Sequence, residues 1–305
     1  MKDLDRSIAA TLAYYGAFGW PLTPLEVQER LIPASRLGGR NISATLGEIL
    51  EHLPVQDFSQ RIEQEKIWAQ KWRRMLRKAW WLQAVPYVRG VYASGSLAMG
   101  NMSAQSDWDM FVIARSGRLY TTRLGLLGVA WLMRSLRTKY QSVASDTFCF
   151  NHYVITDGLS MDHRSLYTAH GVAMLVPVYD PEKYLSRLWR ANHWIEQYRP
   201  MPIDTAVVRR SIVSSSVLGV VAKIGEWVLD SRLGNWLERW LKHWQQRRIM
   251  RDPATHQPGG RVIATDREIE FHPRSFEVVA LERYHAVLVG HGLGIHREHN
   301  SGLTQ

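Results

Sequence analysis

The sequence predicts an α+β protein, with apolar strands in the middle of the chain between a three-helix, winged-helix-like module at the amino end and a mainly helical carboxy-terminal region. Three observations carry this. Residues 1–60 place apolar residues at helical spacing behind capping signals, residues 88–113 hold two apolar runs of strand length joined through a Gly-Ser turn, and residues 204–250 return to helical spacing. The chain therefore divides into 1–60, 61–200 and 201–305, in keeping with two or three modules at 305 residues.

In the first segment Ser7 can cap a helix carrying Ile8, Leu12, Tyr15 and Phe18. Thr23, Pro24 and Glu26 start a second as a capping box with proline at the first helical position. Asn41 or Ser43 can cap a third through Leu46, Ile49, Leu50 and Leu53. Three short helices with tight turns suggest a helix-turn-helix-like module and hence DNA, but the charges oppose it. Five bases (Lys2, Arg6, Arg30, Arg36, Arg40) face seven acids, and the third helix carries Glu48 and Glu51 with no base. Packing or protein contact is the favoured role, and DNA is disfavoured as a partner.

Residues 61–84 form a helix with Trp68, Trp72, Met75, Leu76, Ala79 and Trp80 as its apolar stripe; Arg73, Arg74, Arg77 and Lys78 cover the remainder as a solvated face. Pro86 ends it, and Val88 to Ala93 reads as a buried strand. The chain as a whole is 46% hydrophobic and 22% charged, the balance of a folded soluble protein, with a net charge of +10 and 13 tryptophans. Cys149 is the single cysteine, which excludes a disulfide framework and fits a reducing compartment. The start, MKDLDRS, has no apolar signal-peptide core, and Leu124–Met133 and Ile212–Val221 are too short to span a bilayer. The expectation is a cytoplasmic protein, with attachment to the inner face of the membrane left open.

The most informative segment runs from Val91 to Ile113. A strand ends in Gly95-Ser96, a short helix or turn follows, and a second strand opens with Asp107-Trp108-Asp109. Period two puts the two aspartates on one strand face. Adjacent carboxylates repel unless a divalent cation binds between them, and hard oxygen ligands suit Mg²⁺. Gly95 lets backbone approach a ligand, and Ser96 with the amides of the helix start can bind phosphate oxygens. A metal beside a phosphate cradle points to a nucleoside triphosphate.

These residues resemble the signature of the nucleotidyltransferase superfamily typified by DNA polymerase beta and the aminoglycoside nucleotidyltransferases: an apolar strand, Gly-Ser, about ten residues, then Asp-x-Asp in an apolar strand. The resemblance implies a nucleotidyltransferase-like domain over 61–200, built as a mixed sheet flanked by helices. It also implies two Mg²⁺ ions, an NTP substrate, and transfer of a nucleoside monophosphate to a hydroxyl acceptor of unknown identity. In that picture Asp107 and Asp109 ligate metal, and Gly95 and Ser96 hold the phosphates. Family members carry a further acid on a later strand. Here that strand, Asp146 to Ile155, has no acid at its centre: Asp146 lies at its edge as the candidate third catalytic acid, and Asn151 stands where a carboxylate is expected, able to ligate but not to act as a base. The alternatives are a catalytic Asp146, a weak enzyme, or a binding-only relative. His152 reads as structural, on the strand face opposite Asn151. Residues Phe148 to Trp194 look like a poorly characterised bacterial group of nucleotidyltransferase-domain proteins with an amino-terminal helical module, which brings no substrate with it. Tyr167, His170, Arg190 and Asn192 could face a nucleotide; packing is favoured.

From Asp204 to Met250 the chain reads as helical. Trp227, Leu229, Trp236, Leu237, Trp240, Leu241 and Trp244 form a stripe, and residues 232–251 carry six bases against Glu238. Core, partner helix and interfacial membrane helix all fit that pattern, so an anionic membrane surface or a protein partner stays open. Asp252 to Gly260 reads as a linker, Val262 to Phe271 as a strand, and Phe276 to Leu288 as the last helix.

Overall fold

A computed structural model describes residues 2–40, 43–137, 145–200, 211–273, 275–290 and 292. It is a mixed α+β structure. Its six strands are β1 (Val88–Ala93), β2 (Trp108–Ala114), β3 (Phe148–Ile155), β4 (Val176–Tyr179), β5 (Arg261–Ala264) and β6 (Glu268–His272), in one sheet of order β4-β1-β2-β3-β6-β5. β2 and β3 are parallel; every other neighbouring pair is antiparallel. Eleven α-helices are described: α1 (Asp3–Gly16), α2 (Pro24–Glu29), α3 (Leu46–His52), α4 (Ser59–Ala79), α5 (Gly95–Met99), α6 (Leu119–Leu132), α7 (Leu166–Ala173), α8 (Tyr184–Ala191), α9 (Ser216–Leu229), α10 (Arg232–Met250) and α11 (Phe276–Gly290).

Strand alternation builds two cores. Tyr92, Phe111, Ile113 and Val154 point to one side of the sheet, where they meet Ile8, Tyr14, Leu166, Leu188 and Leu281 from α1, α7, α8 and α11. Val91, Met110, Val112 and Tyr153 point to the other, against Trp72, Met75, Leu126, Leu241 and Ile249 from α4, α6 and α10. The apolar residues of 1–60 thus share a core with the central sheet, and the carboxy-terminal region gives that sheet two strands.

Several local expectations shift. α1 starts at Asp3, with the Asp5 carboxylate accepting from the Lys2 amide at 3.1 Å, so Ser7 is not a cap but a buried residue inside the helix. The Thr23–Glu26 capping box forms as expected. α3 is capped by Thr45 with Glu48, a second capping box that outcompetes Ser43; Asn41 lies outside the described residues. α4 buries Trp72, Met75 and Ala79, and the chain then tightens into a 3₁₀ turn over Trp80–Ala84. The expected strand over 262–271 is a hairpin, β5 and β6. Strand β4 has no counterpart among the elements expected from the sequence; its Pro177 is tolerated because β4 is an edge strand, where one row of amides needs no partner. The start of the carboxy-terminal helical region, 204–210, lies outside the described residues; α6 ends at Leu132.

Candidate functional site

Asp107 immediately precedes β2 and Asp109 is its second residue, so both project from the same edge of the sheet at the carboxyl end of β1. Carboxylate oxygens of Asp107 and Asp109 and the Cys149 sulfur all lie within 4.8 Å of one another. The side-by-side placement expected of the aspartates is therefore present. Trp108 between them is fully buried on the opposite face, stacked edge-on against Phe148, which fixes the strand's rotation and so aims both carboxylates outward from the far core.

Gly95 closes the other wall. Its φ is +55°, in the left-handed region, and a Cβ there would lie 2.7 Å from Asp109 Oδ2. Only glycine allows the turn after β1 to come so close to the carboxylate. The turn is anchored by the Ser94 amide donating to the Asp109 carbonyl at 3.0 Å and by the Trp68 indole donating to the Leu97 carbonyl at 2.7 Å. Ser96 lies half-buried in the first turn of α5, and its hydroxyl has no hydrogen-bond partner among the described residues.

Asn151 does reach the site, though as an orienting donor: its Nδ2 donates to Asp109 Oδ1 at 2.8 Å. A bulge in β3 makes this happen. Met110 pairs with Phe150, but Phe111 pairs with His152, which leaves Asn151 as the extra residue. His152 is consequently moved onto the face of Asp109 and Phe111, its ring centroid 4.7 Å from that of Phe111, rather than opposite Asn151. There it meets Glu268 at 2.9 Å, while Glu270 is held by Arg261 at 2.5 Å and by His272 at 3.1 Å.

Asp146 is not brought to the pair. It sits in the left-handed region, φ +57°, bonded to Lys71 Nζ at 3.1 Å and Arg74 at 2.8 Å, and belongs to no cluster of potential metal ligands with Asp107 and Asp109 among the described residues. Lys71 is buried and also donates to the Ser106 carbonyl at 2.7 Å, so the Asp146 ion pair pins α4 to the loop before β2 and to the start of β3. Its carboxyl is held below the usual range: burial pushes it up, but its bonds to Arg74 and Lys71 outweigh that.

The electrostatics single out Asp109. Burial first and the Asp107 charge second push its carboxyl up to about 7, with His272 and Arg137 opposing. Burial and the same two aspartates raise the Cys149 thiol well above its ordinary value, so it stays protonated. Arg137 ion-pairs with Asp107 and lies 3.8 Å from the Cys149 sulfur. For Glu270, burial pushes up but its bond to His272 and the surrounding cations win, leaving it at about 2. Burial opposes charge on His272, and the Glu270 bond and charge overcome it, so the imidazole is raised.

Arg137, Cys149, Glu270 and His272 had no motif to announce them, although Glu268, Glu270 and His272 alternate with Ile269 and Phe271 at strand period. Of the four residues weighed for packing, His170 is buried and bonded to the Tyr15 hydroxyl at 2.7 Å, and Asn192 is buried in a net to Leu159, Met161 and Leu188. Arg190 bonds only its own helix, at the Ser186 carbonyl. Tyr167 stacks on Phe18 with ring centroids 6.4 Å apart; burial raises its hydroxyl, and the Asp109, Glu277 and Glu270 charges raise it further. A separate cavity of about 770 Å³ beside α1 and α11 shares none of these residues and is lined mainly by small apolar side chains. No protein-family model and no curated protein sequence matches the chain.

Proposed function

We propose that the chain binds a nucleoside triphosphate with Mg²⁺ at Asp107 and Asp109 and acts as a metal-dependent nucleotidyltransferase on a hydroxyl acceptor. The observation that carries the reading is Gly95: its left-handed backbone lies against the Asp109 carboxylate, on a mixed β1-β2-β3 unit, in the space a side chain would otherwise fill. The donor set fits a hard cation, since two carboxylates face each other across less than 4.8 Å, with burial and the Asp107 charge raising the Asp109 carboxyl to about 7. Bound there, Mg²⁺ would neutralise the phosphate charge. Asn151 fixes the rotation of Asp109, Ser96 offers its hydroxyl to a phosphate oxygen, and Arg137, freed from Asp107 once that carboxylate is engaged, is a guanidinium within reach of the triphosphate.

A second reading is supported by a specific observation. Asp146 is consumed by Lys71 and Arg74, and Cys149 and Asn151 stand where a third carboxylate would activate the hydroxyl. With Asp146 engaged elsewhere, a slow or binding-only protein is the second reading. The amino-terminal module, whose helices share the sheet's core and whose third helix exposes Glu48 and Glu51, supports packing rather than DNA contact.

The test is calorimetric titration with ATP, GTP, CTP and UTP, with and without Mg²⁺ or Mn²⁺, alongside pyrophosphate release. Cation-dependent binding lost in Asp109→Asn is expected; no binding of any triphosphate with either cation would refute the reading. Binding without pyrophosphate release across a panel of hydroxyl acceptors would select the binding-only form.

A further inference from the structure

The hairpin α9–α10 lies far along the chain from the carboxylates and carries a dense run of exposed large apolar side chains. On α9, Val217, Val220, Val221, Ile224, Trp227 and Val228 are all exposed, Trp227 at 80%. At 100° per residue these six fall on one side of the helix, opposite buried Leu218. On α10, Trp236, Trp240 and Trp244 follow at i, i+4 and i+8, exposed at 58%, 50% and 43%, opposite buried Leu241, Gln245 and Ile249. Trp240 and Trp244 stack in parallel. The buried sides of both helices lie against the layer formed by the 80–84 turn and α6, which covers one face of the sheet, so both apolar faces are turned away from the body.

Nothing about the hairpin is loosely attached. A Cβ on Gly225 would lie 2.5 Å from Pro86, so α9 approaches the body as closely as a glycine allows. Glu226 takes Arg89 at 2.8 Å and the Tyr87 amide at 2.8 Å. Asp230 takes Arg115 at 2.7 Å and Arg118 at 3.2 Å, and Glu238 accepts from the Tyr120 and Thr121 amides at the start of α6. Every acid of the hairpin is thereby engaged by the body, although Asp230 itself stays exposed. Its bases are not: Lys223, Arg232, Arg239, Arg247, Arg248 and Arg251 have no ion pair among the described residues, and Lys242 alone reaches an acid, Asp266. The outward surface is therefore apolar and tryptophan-rich, with only positive charge around it.

We propose that the α9–α10 hairpin is a docking surface for an anionic lipid bilayer, with the Val, Ile and Trp side chains entering the interface and the arginines meeting the headgroup charge. The charge pattern chooses this occupant. A second copy placed face to face would set like charges against one another with no acid in the patch to meet them. A nucleic acid would find Lys223 alone among the exposed valines of α9 and gain nothing from them. A bilayer with negative headgroups uses both halves of the surface, and tryptophan is suited to that boundary. Among the described residues no helix is long and apolar enough to cross a membrane, and the attachment proposed is peripheral.

The experiment is co-sedimentation of the full chain with vesicles of phosphatidylcholine alone and of phosphatidylcholine mixed with phosphatidylglycerol, at low and high salt, with tryptophan emission followed in parallel. Binding to the anionic vesicles, weakened by salt and accompanied by a blue shift, is expected. Neutralising Arg239, Arg247 and Arg248 together to Gln should weaken it on the order of 100-fold, at roughly fivefold per base. Trp236→Ser with Trp240→Ser should weaken vesicle binding and reduce the blue shift, which Trp227 and Trp244 still report; these positions are exposed, and unchanged circular dichroism checks the fold. Asp109→Asn should bind vesicles as the wild type does, which separates this proposal from the nucleotide site. Absence of binding to anionic vesicles, equal binding to neutral ones, or a dimer in sedimentation equilibrium that the same tryptophan substitutions dissolve would each overturn it.

Discussion

Replacing Asp109 with Asn should stabilise the protein at alkaline pH while removing cation binding. The folded carboxyl is raised to about 7, whereas the unfolded one titrates in the ordinary aspartate range near 4. Between those values the folded state holds a proton that the unfolded state has released, so this group's contribution is complete below about pH 4 and is lost as pH rises through 7. The full window corresponds to a ceiling of about 4 kcal/mol, at 1.36 kcal/mol per decade of proton affinity. Some 2–3 kcal/mol of that falls between pH 5 and pH 8, and partial solvent access reduces it to about 1–2 kcal/mol. Asn keeps the shape and the acceptor that Asn151 donates to, but carries no charge at any pH. Urea unfolding of both proteins at pH 5 and pH 8 measures this directly. The advantage of Asp109→Asn should widen by about 1–2 kcal/mol between the two conditions, enough to see in the midpoint. At pH 8, Mg²⁺ near a hundredfold its dissociation constant should add about 2.7 kcal/mol to the wild type and nothing to the variant. A gap that is the same at both pH values, or equal stabilisation of both proteins by Mg²⁺, would show that the two aspartates do not form a charge-strained cation site.

Gly95→Ala forces a side chain into a left-handed backbone 2.7 Å from Asp109 Oδ2 and should cost about 1–3 kcal/mol in thermal unfolding, together with triphosphate binding. Asp146→Ala should leave cation-dependent nucleotide binding intact while destabilising the fold by about 2–3 kcal/mol, because it strands the buried Lys71 ammonium; loss of binding without loss of stability would restore Asp146 to the site. The Asp146 carboxyl is held low by Arg74 and Lys71, so its stabilising effect is present above the ordinary aspartate range and fades as pH falls through it, a slope that acid unfolding should show vanishing in the Ala variant. Arg137→Ala removes the cation on Asp107, and titration should find Mg²⁺ binding alone little changed or tighter but triphosphate binding about tenfold weaker. Equal weakening of both would make Arg137 a structural partner of Asp107 only.

What the sequence made legible follows from which forces are local. Val88 to Ala93 was readable as a strand because Val88, Val91, Tyr92 and Ala93 are apolar, with Arg89 the one charge among them, and Gly95 with Asp107 and Asp109 was readable as a site because backbone freedom and paired charge are properties of single residues at fixed spacing. The Thr23 cap was readable for the same reason, and Thr45 was missed only because Asn41, Ser43 and Thr45 all offer a side-chain oxygen, while the choice belongs to the Glu48 that faces Thr45. Period-two counting through β3 failed at one residue. The bulge at Asn151 takes that side chain to Asp109 and delivers His152 to the same face, and nothing in Phe-Asn-His-Tyr marks which residue is extra, because the register is set by β2 on one side.

The remaining half of the site was hidden for a stronger reason: it arrives from elsewhere in the chain. Arg137 reaches Asp107 from the segment between α6 and β3, and Glu270 and His272 come from a strand that joins the sheet more than 100 residues after β3. These long-range arrivals also decide the chemistry. In place of a third acid on β3, the protein places Arg137 and His272 around Asp109 and spends Asp146 on fastening α4. Cations near a carboxylate pair lower the affinity for a free metal ion but raise it for a metal that comes already bound to phosphates, because the bases then have an anion to meet. Under the proposed function, the arrangement would favour capture of a metal–triphosphate complex over binding of the bare ion. That ordering is why cation and nucleotide must be titrated both separately and together.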